Sequence, residues 1–504
     1  MIQSLYDNSR GMIRSMAVIG SAQAVNILIS ILRMKVLAIL LGPTGVGLLS
    51  IYNNLQGVVG TAAGLGMGSS GVRQIASVKG EEHELSRVRR VLLLAHLIQG
   101  VLAMIVVWLL RSQISEWLFS DQSYASEVGL IGLAILLTLL ATAHTALLQG
   151  MRRIGDLGRI TVFSAVVGTF AGLLAVWQYG EAGLVWFVMV QPLATIAIAR
   201  SYTNRLPTPT AVPPSAAEVW DVWKPMAKLG AAFMLGSLAT TATLLLVQGH
   251  ITQELGLEAA GHFAASWGIT MTYVGFLLGA MAADYYPRLT EVINDRSAAT
   301  LLMNDQTQLG LAVGGPFLLL LIGLAPWAIT LLYSVEFAPA VELLQWQTVG
   351  NVFKLASWAL AFSIVAAARS KTFFLMEISF NIVFLAMIWL LLPVLGLQVT
   401  AIAFMVGYVV YFATVNILAH KLQGFRWERM SFLLLALHAT LALALLSLAR
   451  IKPETAAITS VCLALATGLF GLRLVLIKMG PEGRVAARLA RFYAAIGWPI
   501  RSIP

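Results

Sequence analysis

The stretch NILISILRMKVLAILLGPTG, residues 26–45, is apolar enough to cross a membrane, yet it carries Arg33 and Lys35. About 20 apolar residues span a hydrocarbon core. A cation within such a span must face protein, water or a partner, because lipid does not solvate it. The same apolar texture recurs along all 504 residues, of which 59% are hydrophobic and 11% charged. Soluble domains carry about 25% charged residues, so the composition predicts an all-α polytopic membrane protein. The net charge of +10 then marks the cytoplasmic side of a bilayer, and no nucleic-acid partner is expected. The single cysteine, Cys462, lies in an apolar run and reads as a packing residue. No cofactor and no metal site is expected.

Fourteen candidate spans lie near 14–41, 45–70, 89–111, 126–150, 158–178, 182–202, 226–251, 260–284, 308–333, 340–368, 372–394, 397–420, 431–449 and 456–477. With a cytoplasmic N-terminus, 27 of the 33 Lys and Arg residues fall on inside segments. Only Arg111, Arg450 and Lys452 fall outside, and Arg33, Lys35 and Lys354 fall within spans. That asymmetry predicts both termini inside. Every loop is short, so no soluble catalytic domain and no catalytic residue is expected, and the chain does not read as an enzyme. After the last span, Arg484, Arg488 and Arg491 share one helical face, as in a basic helix on the inner leaflet. A frayed basic tail is the alternative.

The chain also resembles itself at an offset of 214. LGPTGVG (41–47) sits over LGLEAAG (255–261), so Gly42 matches Gly256 and Gly47 matches Gly261; WLFS (117–120) sits over LLYS (331–334). Two six-helix halves follow, 1–205 and 222–421, joined by a linker at 206–221. Two further helices occupy 422–480 and a basic tail 481–504. Six spans per half give both halves one orientation, with a pseudo-twofold along the membrane normal and a substrate site expected between them.

Within the first span, Gln23, Asn26, Ser30 and Arg33 are spaced 3, 4 and 3 and form one polar stripe. Lys35 points the other way. Arg33 lies about 12 Å from the outer helix end, so snorkelling outward is open to it and to Lys35. The tenth span repeats the pattern with Gln347, Asn351, Lys354 and Trp358, and Lys354 is too deep to snorkel. Ser266, Thr270 and Tyr273 share a face of the eighth span. Asn53, Gly57, Thr61 and Gly64 share a face of the second and read as small residues for close helix packing. Acidic groups are scarce. Glu377 reads first as a structural partner of Lys371 or Arg369, His144 as a hydrogen-bonded structural residue, and Asp284 ends the eighth span; all three are candidates for cation coupling. The deepest charges are positive, which suits an anionic ligand. Arginine's planar fork fits a phosphate, lysine adds a point charge, and nearby amides and aromatics suit sugars.

Four segments resemble one known family. They are ILRMKVLAILLGPTGVGLLS (31–50), GMRRIGDLGRI (150–160), YYPRLTEV (285–292) and LLQWQTVGNVFKLASWALA (343–361). The chain resembles the multidrug/oligosaccharidyl-lipid/polysaccharide (MOP) exporter superfamily and, within it, the Wzx-type flippases, over about residues 1–421. The resemblance implies a V-shaped transporter of two six-helix bundles in a bacterial inner membrane. It would move undecaprenyl-pyrophosphate-linked oligosaccharide, such as an O-antigen repeat unit, to the periplasmic leaflet by alternating access. Glycan polymerase and other assembly proteins are implied partners. The basic residues that attract the pyrophosphate correspond to Arg33, Lys35 and Lys354, alongside Gln23, Asn26, Asn351 and Tyr273. Where the relatives carry a basic residue late in the seventh span, this chain has Gln248. A cation-coupled drug exporter is the alternative, but it needs an acid that the first two spans lack. A membrane glycan polymerase or glycosyltransferase needs outer-loop machinery that these short loops do not offer.

Overall fold

The computed structural model describes residues 2–78, 80–206, 216–479 and 484–500, which form helices and connecting turns and no strand. Residues 207–215 of the expected linker, and 480–483 and 501–504 at the C-terminal end, lie outside the described residues. The helices are α1 (Ile2–Gly64), α2 (Met67–Ser77), α3 (Glu82–Leu109), α4 (Arg111–Phe119), α5 (Ala125–Gly150), α6 (Ile154–Tyr179), α7 (Gly183–Thr203) and α8 (Ala216–Leu255). They continue with α9 (Leu257–Val292), α10 (Arg296–Leu332), α11 (Ala340–Ala366), α12 (Ser370–Leu395), α13 (Gln398–Gln423), α14 (Arg429–Ile451), α15 (Pro453–Met479) and α16 (Arg484–Ala495).

Among the described residues, eleven helices are long and apolar enough to cross a membrane, or twelve if a bent pair in α9 counts as one broken span. The sequence reading places fourteen spans. Two of the eleven, Gly20–Gly64 and Ile154–Thr203, run to 45 and 50 residues, far beyond the ~20 that a bilayer requires. Both contain a break. In α1 it falls at Gly42, with φ 62° and ψ −164°, followed by Pro43. Glycine takes the left-handed φ without a Cβ clash, and proline cannot donate back into the preceding turn. The second break is the Gly180–Ala182 turn between α6 and α7. Outward apolar side chains such as Phe170, Trp177, Leu390 and Val394 are well exposed, as expected where lipid is the solvent. Cys462 is exposed on α15, which corrects its reading as a packing residue.

The fold divides by internal packing into two units. One comprises residues 1–261 with 332–336, the other residues 262–331 with 337–504. In the first, α7 packs along α6 and α5, α3 on α5, and α1 on α6. Val222, Met226 and Ala227 of α8 join the core formed by Val88, Val91, Leu92 and Leu147. Backbones approach closely where glycine allows. A Cβ on Gly66 would strike the Gly230 carbonyl, and one on Gly230 would strike Leu65. At the repeated sequence the approach is reciprocal. A Cβ on Gly47 would meet the carbonyl of Leu257, and one on Gly261 that of Pro43. Positions 43 and 257, like 47 and 261, are 214 apart, so each partner offers its counterpart the same contact. Gln248 on α8 clasps α1, accepting from Asn54 Nδ2 at 2.7 Å and donating to Ser50 Oγ at 2.7 Å.

In the second unit, α13 packs between α11 and α12, and α14 packs on α11 and α15. Leu434, Leu435, Leu445 and Leu446 of α14 enter the core made by Leu311, Leu318 and Ile322 of α10. The turn leading into α14 is held by polar side chains. Asn304 Nδ2 donates to the Arg426 carbonyl at 2.9 Å, while Asn304 Oδ1 accepts from Glu428 N at 2.9 Å. Gln308 donates to Glu428 and Ser431, both at 2.9 Å. Asp295 caps α10, and the Ser297 hydroxyl, with the amides of Ala298 and Ser297, holds its carboxyl below the usual carboxylate range. The tail forms a helix, with Tyr493 buried and its hydroxyl donating to the Leu469 carbonyl at 2.6 Å. Arg488 and Arg491 are exposed beside Phe492.

Candidate substrate site

In the first unit, α1 presents Arg33 to α7. Arg33 Nη1 donates to Gln191 Oε1 at 2.7 Å and Nη2 to Ser30 Oγ at 3.4 Å. The guanidinium carbon lies 5.6 Å from the centre of the Phe187 ring. Phe187 and Gln191 are one turn apart on α7, so a single helical face supplies both a π surface and an amide. Arg33 Nε is buried and has no hydrogen-bond partner. A guanidinium has five N–H donors, and none of those described here meets a carboxylate. Arg33 lines a cavity of about 370 Å3 with Asn53, Gln56, Thr138, Thr142, Gln191 and Thr195, and no aspartate or glutamate contributes to that wall. A partly desolvated cation without an acidic partner favours an anion beside it.

Other residues of the first span go elsewhere. Gln23 is exposed and Asn26 half-buried, and neither lines this cavity. Lys35 Nζ donates to the Tyr333 carbonyl at 2.5 Å, away from Arg33. Gly57, Thr61 and Gly64, read as packing residues, line an adjoining cavity, and Gly64 also packs tightly, since a Cβ there would lie 3.0 Å from Leu139 Cδ2. A Cβ on Gly57 would meet nothing within 4 Å, so its small size opens space there rather than closing a helix contact.

The second unit holds the other deep cation. Lys354 Nζ lies 3.5 Å from Met271 Sδ, 5.1 Å from the Tyr408 ring centre and 6.0 Å from that of Phe404. Glu377 interacts electrostatically with it, and the Glu377 carboxylate accepts from the Tyr411 hydroxyl at 2.6 Å. The structure therefore corrects the pairing of Glu377 with Lys371 or Arg369. Phe380, Phe404, Tyr408 and Tyr411 make edge and tilted ring contacts around this centre. One turn from Lys354, Asn351 is fully buried with neither amide atom partnered. Gln347 is satisfied by Thr270 at 2.8 Å and Ser266 at 3.2 Å. Tyr273 turns toward Phe317, with ring centres 6.4 Å apart.

Two coupling candidates have ordinary local partners. Asp284 is exposed and pairs with Arg288 one turn on, at 3.0 Å. His144 Nδ1 lies 3.2 Å from Thr203 Oγ1. Sequence reading missed Gln191, Gln56, Thr138 and Thr142. The signal was there in the 138, 142, 145 and 191, 195 spacings, each a polar ridge on an otherwise apolar helix.

Solved structures share this fold. An inward-facing multidrug resistance MATE family transporter of the MOP superfamily superposes with a TM-score of 0.68 at 15% identity, covering 79% of this chain and 94% of that one. The lipid II flippase MurJ, in an inward closed conformation, gives 0.64 at 13% identity, covering 92% of this chain and 99% of that one. The molecule is thus a multi-pass membrane protein with the MOP-superfamily transporter fold, as its sequence motifs implied. The profile of the family described as "Polysaccharide biosynthesis protein" matches residues 36–342, and the chain belongs to that family. Over 390 residues it is 26% identical to the lipid III flippase of Escherichia coli (strain K12), covering 75% of this chain and 91% of that protein, and it matches the Shigella flexneri lipid III flippase equally. It is a transporter rather than an enzyme.

Proposed function

We propose that the protein is a flippase for a polyprenyl-pyrophosphate-linked glycan. It carries an O-antigen or related surface-polysaccharide repeat unit from the cytoplasmic to the periplasmic leaflet of a bacterial inner membrane, with both termini cytoplasmic. The observation that carries this reading is Arg33, a cation with unused donors on the wall of a polar cavity that has no carboxylate. A pyrophosphate supplies the missing anion, and arginine's fork suits it. The polysaccharide family and the relatives named lipid III flippase support the same class of cargo. A cationic drug would find no acid on that wall, which disfavours the multidrug-exporter alternative.

The head group enters from the inner leaflet, the polyprenyl tail stays in lipid, and alternating access delivers the glycan outward. Each negative charge moved outward gains about 2.3 kcal/mol per 100 mV of inside-negative potential, so potential alone assists export. If a cation is also coupled, Glu377 is the candidate we retain, because it is the acid in the field of the deep cation Lys354, whereas Asp284 is exposed in an ion pair with Arg288. Glycan polymerase and assembly proteins would receive the product.

The test is a strain lacking this gene, complemented at equal expression with wild type, Arg33→Ala or Lys354→Ala. Lipid-linked glycan on the inner leaflet and glycan at the surface are both measured. Accumulation inside the null and the Arg33→Ala strain supports the proposal. Normal export by the null, with no second flippase present, sinks it.

A further inference from the structure

The cavity at Arg33 continues beyond the guanidinium. Asn53, Gln56, Thr138 and Thr142 also line a second space of about 610 Å3, which runs along α1 to Gly64 and reaches Ser69 and His96. From Asn53 to Gly64 the helix rises about 16 Å. All of these residues belong to the first unit.

Hydrogen-bonding character changes along this groove. At one end Arg33 offers only donors. Farther along, the wall offers acceptors. Thr142 lines both spaces, and its hydroxyl donates to the Thr138 carbonyl at 2.8 Å, which leaves its oxygen able to accept; the Thr138 hydroxyl already accepts from Gln56 Nε2 at 2.5 Å. His96 is fully buried, with Nδ1 2.8 Å from the Leu92 carbonyl. A carbonyl only accepts, so Nδ1 carries the proton, and Nε2 of the neutral ring is an acceptor. That Nε2 is unpartnered. No carboxylate lines either space, so the groove does not suit a cation. Bare acceptors repel a phosphate and take hydroxyl donors.

We propose that the groove is a carbohydrate subsite. Arg33 holds the phosphate, His96 accepts a hydrogen bond from the sugar next to it, and the Thr61 and Ser69 hydroxyls exchange hydrogen bonds with that sugar. This inference rests on the flippase reading, and the experiment separates the two. The full-length protein is reconstituted in nanodiscs and titrated with bare polyprenyl pyrophosphate and with the host's own polyprenyl-pyrophosphate-linked glycan. Thr61→Val and His96→Leu, at positions that line only the second space, should weaken binding of the glycan-bearing lipid about tenfold while leaving the bare lipid unchanged; the bare lipid also reports that each variant is folded. His96→Gln, which restores an acceptor, should recover most of the loss. Arg33→Ala should weaken both lipids. Equal losses on both lipids for Thr61→Val and His96→Leu, or no loss on either, overturns the subsite and leaves the flippase reading intact. Wild type binding neither lipid overturns the flippase reading itself.

Discussion

Arg33 and Lys354 are both cations within apolar helices, but they are compensated differently. Arg33 meets a neutral amide, a serine hydroxyl and a ring face, and it borders a polar cavity. Lys354 is enclosed by Met271, Phe404 and Tyr408, with Glu377 as a counter-charge anchored by Tyr411. The same sign of charge therefore has two meanings. One cation borders a polar space with no acid on its wall, and the other sits in an aromatic shell with an acid of its own chain in its field. The sharpest way to break this contrast is a substitution series at Arg33, read as the rate of glycan-lipid delivery in proteoliposomes. Arg33→Gln should cost roughly 10–100-fold, since hydrogen bonds to a charged group contribute about 1.5–3 kcal/mol. Arg33→Lys keeps the charge but loses the planar fork, so it should fall between. If lysine matches arginine, the bidentate geometry is unused. If glutamine matches wild type, Arg33 is no freer for a ligand than Lys354.

The next effect is on stability. Lys354→Met and Glu377→Gln should each destabilise the protein, because each leaves one polar or charged group in an apolar shell without its partner. The double variant should lose less than the two single losses combined, with a coupling of roughly 0.5–3 kcal/mol, measured by thermal unfolding in one detergent. Additive losses would mean that the two groups do not compensate each other, and the contrast with Arg33 would vanish. Lys354→Ala should also slow delivery less than Arg33→Ala does.

The comparison marks what sequence makes legible. A stripe of Gln23, Asn26, Ser30 and Arg33 is a local property of one helix, so the deep cation could be read from spacing alone. The Gly42–Pro43 break is local chemistry too, and it appears where the motif LGPTGVG placed it. The repeat at 214 marked Gly47 and Gly261, and those two positions meet across a close helix crossing. Partners were not legible. Gln191 lies 158 positions from Arg33, and Tyr411 lies 34 from Glu377. Neither pairing leaves a periodic trace, so Glu377 was matched to the nearest bases along the chain, Arg369 and Lys371. The cavity walls were hidden for the same reason. Gly57, Thr61 and Gly64 carry one small-residue pattern whether the facing helix closes on them or stands away, and only the positions of α3 and α5 decide between the two.

Lys35 supplies the smallest predicted effect and the control for the rest. It is two residues from Arg33, so any nonspecific role for positive charge in this span would involve both. Its ammonium instead donates to the Tyr333 carbonyl, and it does not border the cavity. Lys35→Met keeps the aliphatic stem and removes the donor. Delivery in proteoliposomes should stay within about twofold of wild type, with a fall in melting temperature, because a hydrogen bond from a charged group contributes about 1.5–3 kcal/mol to stability. A loss as large as that of Arg33→Gln, without a matching loss of stability, would mean that charge anywhere in the span attracts the substrate. The distinction between a cation aimed at a cavity and one tied to the backbone would then have no functional weight.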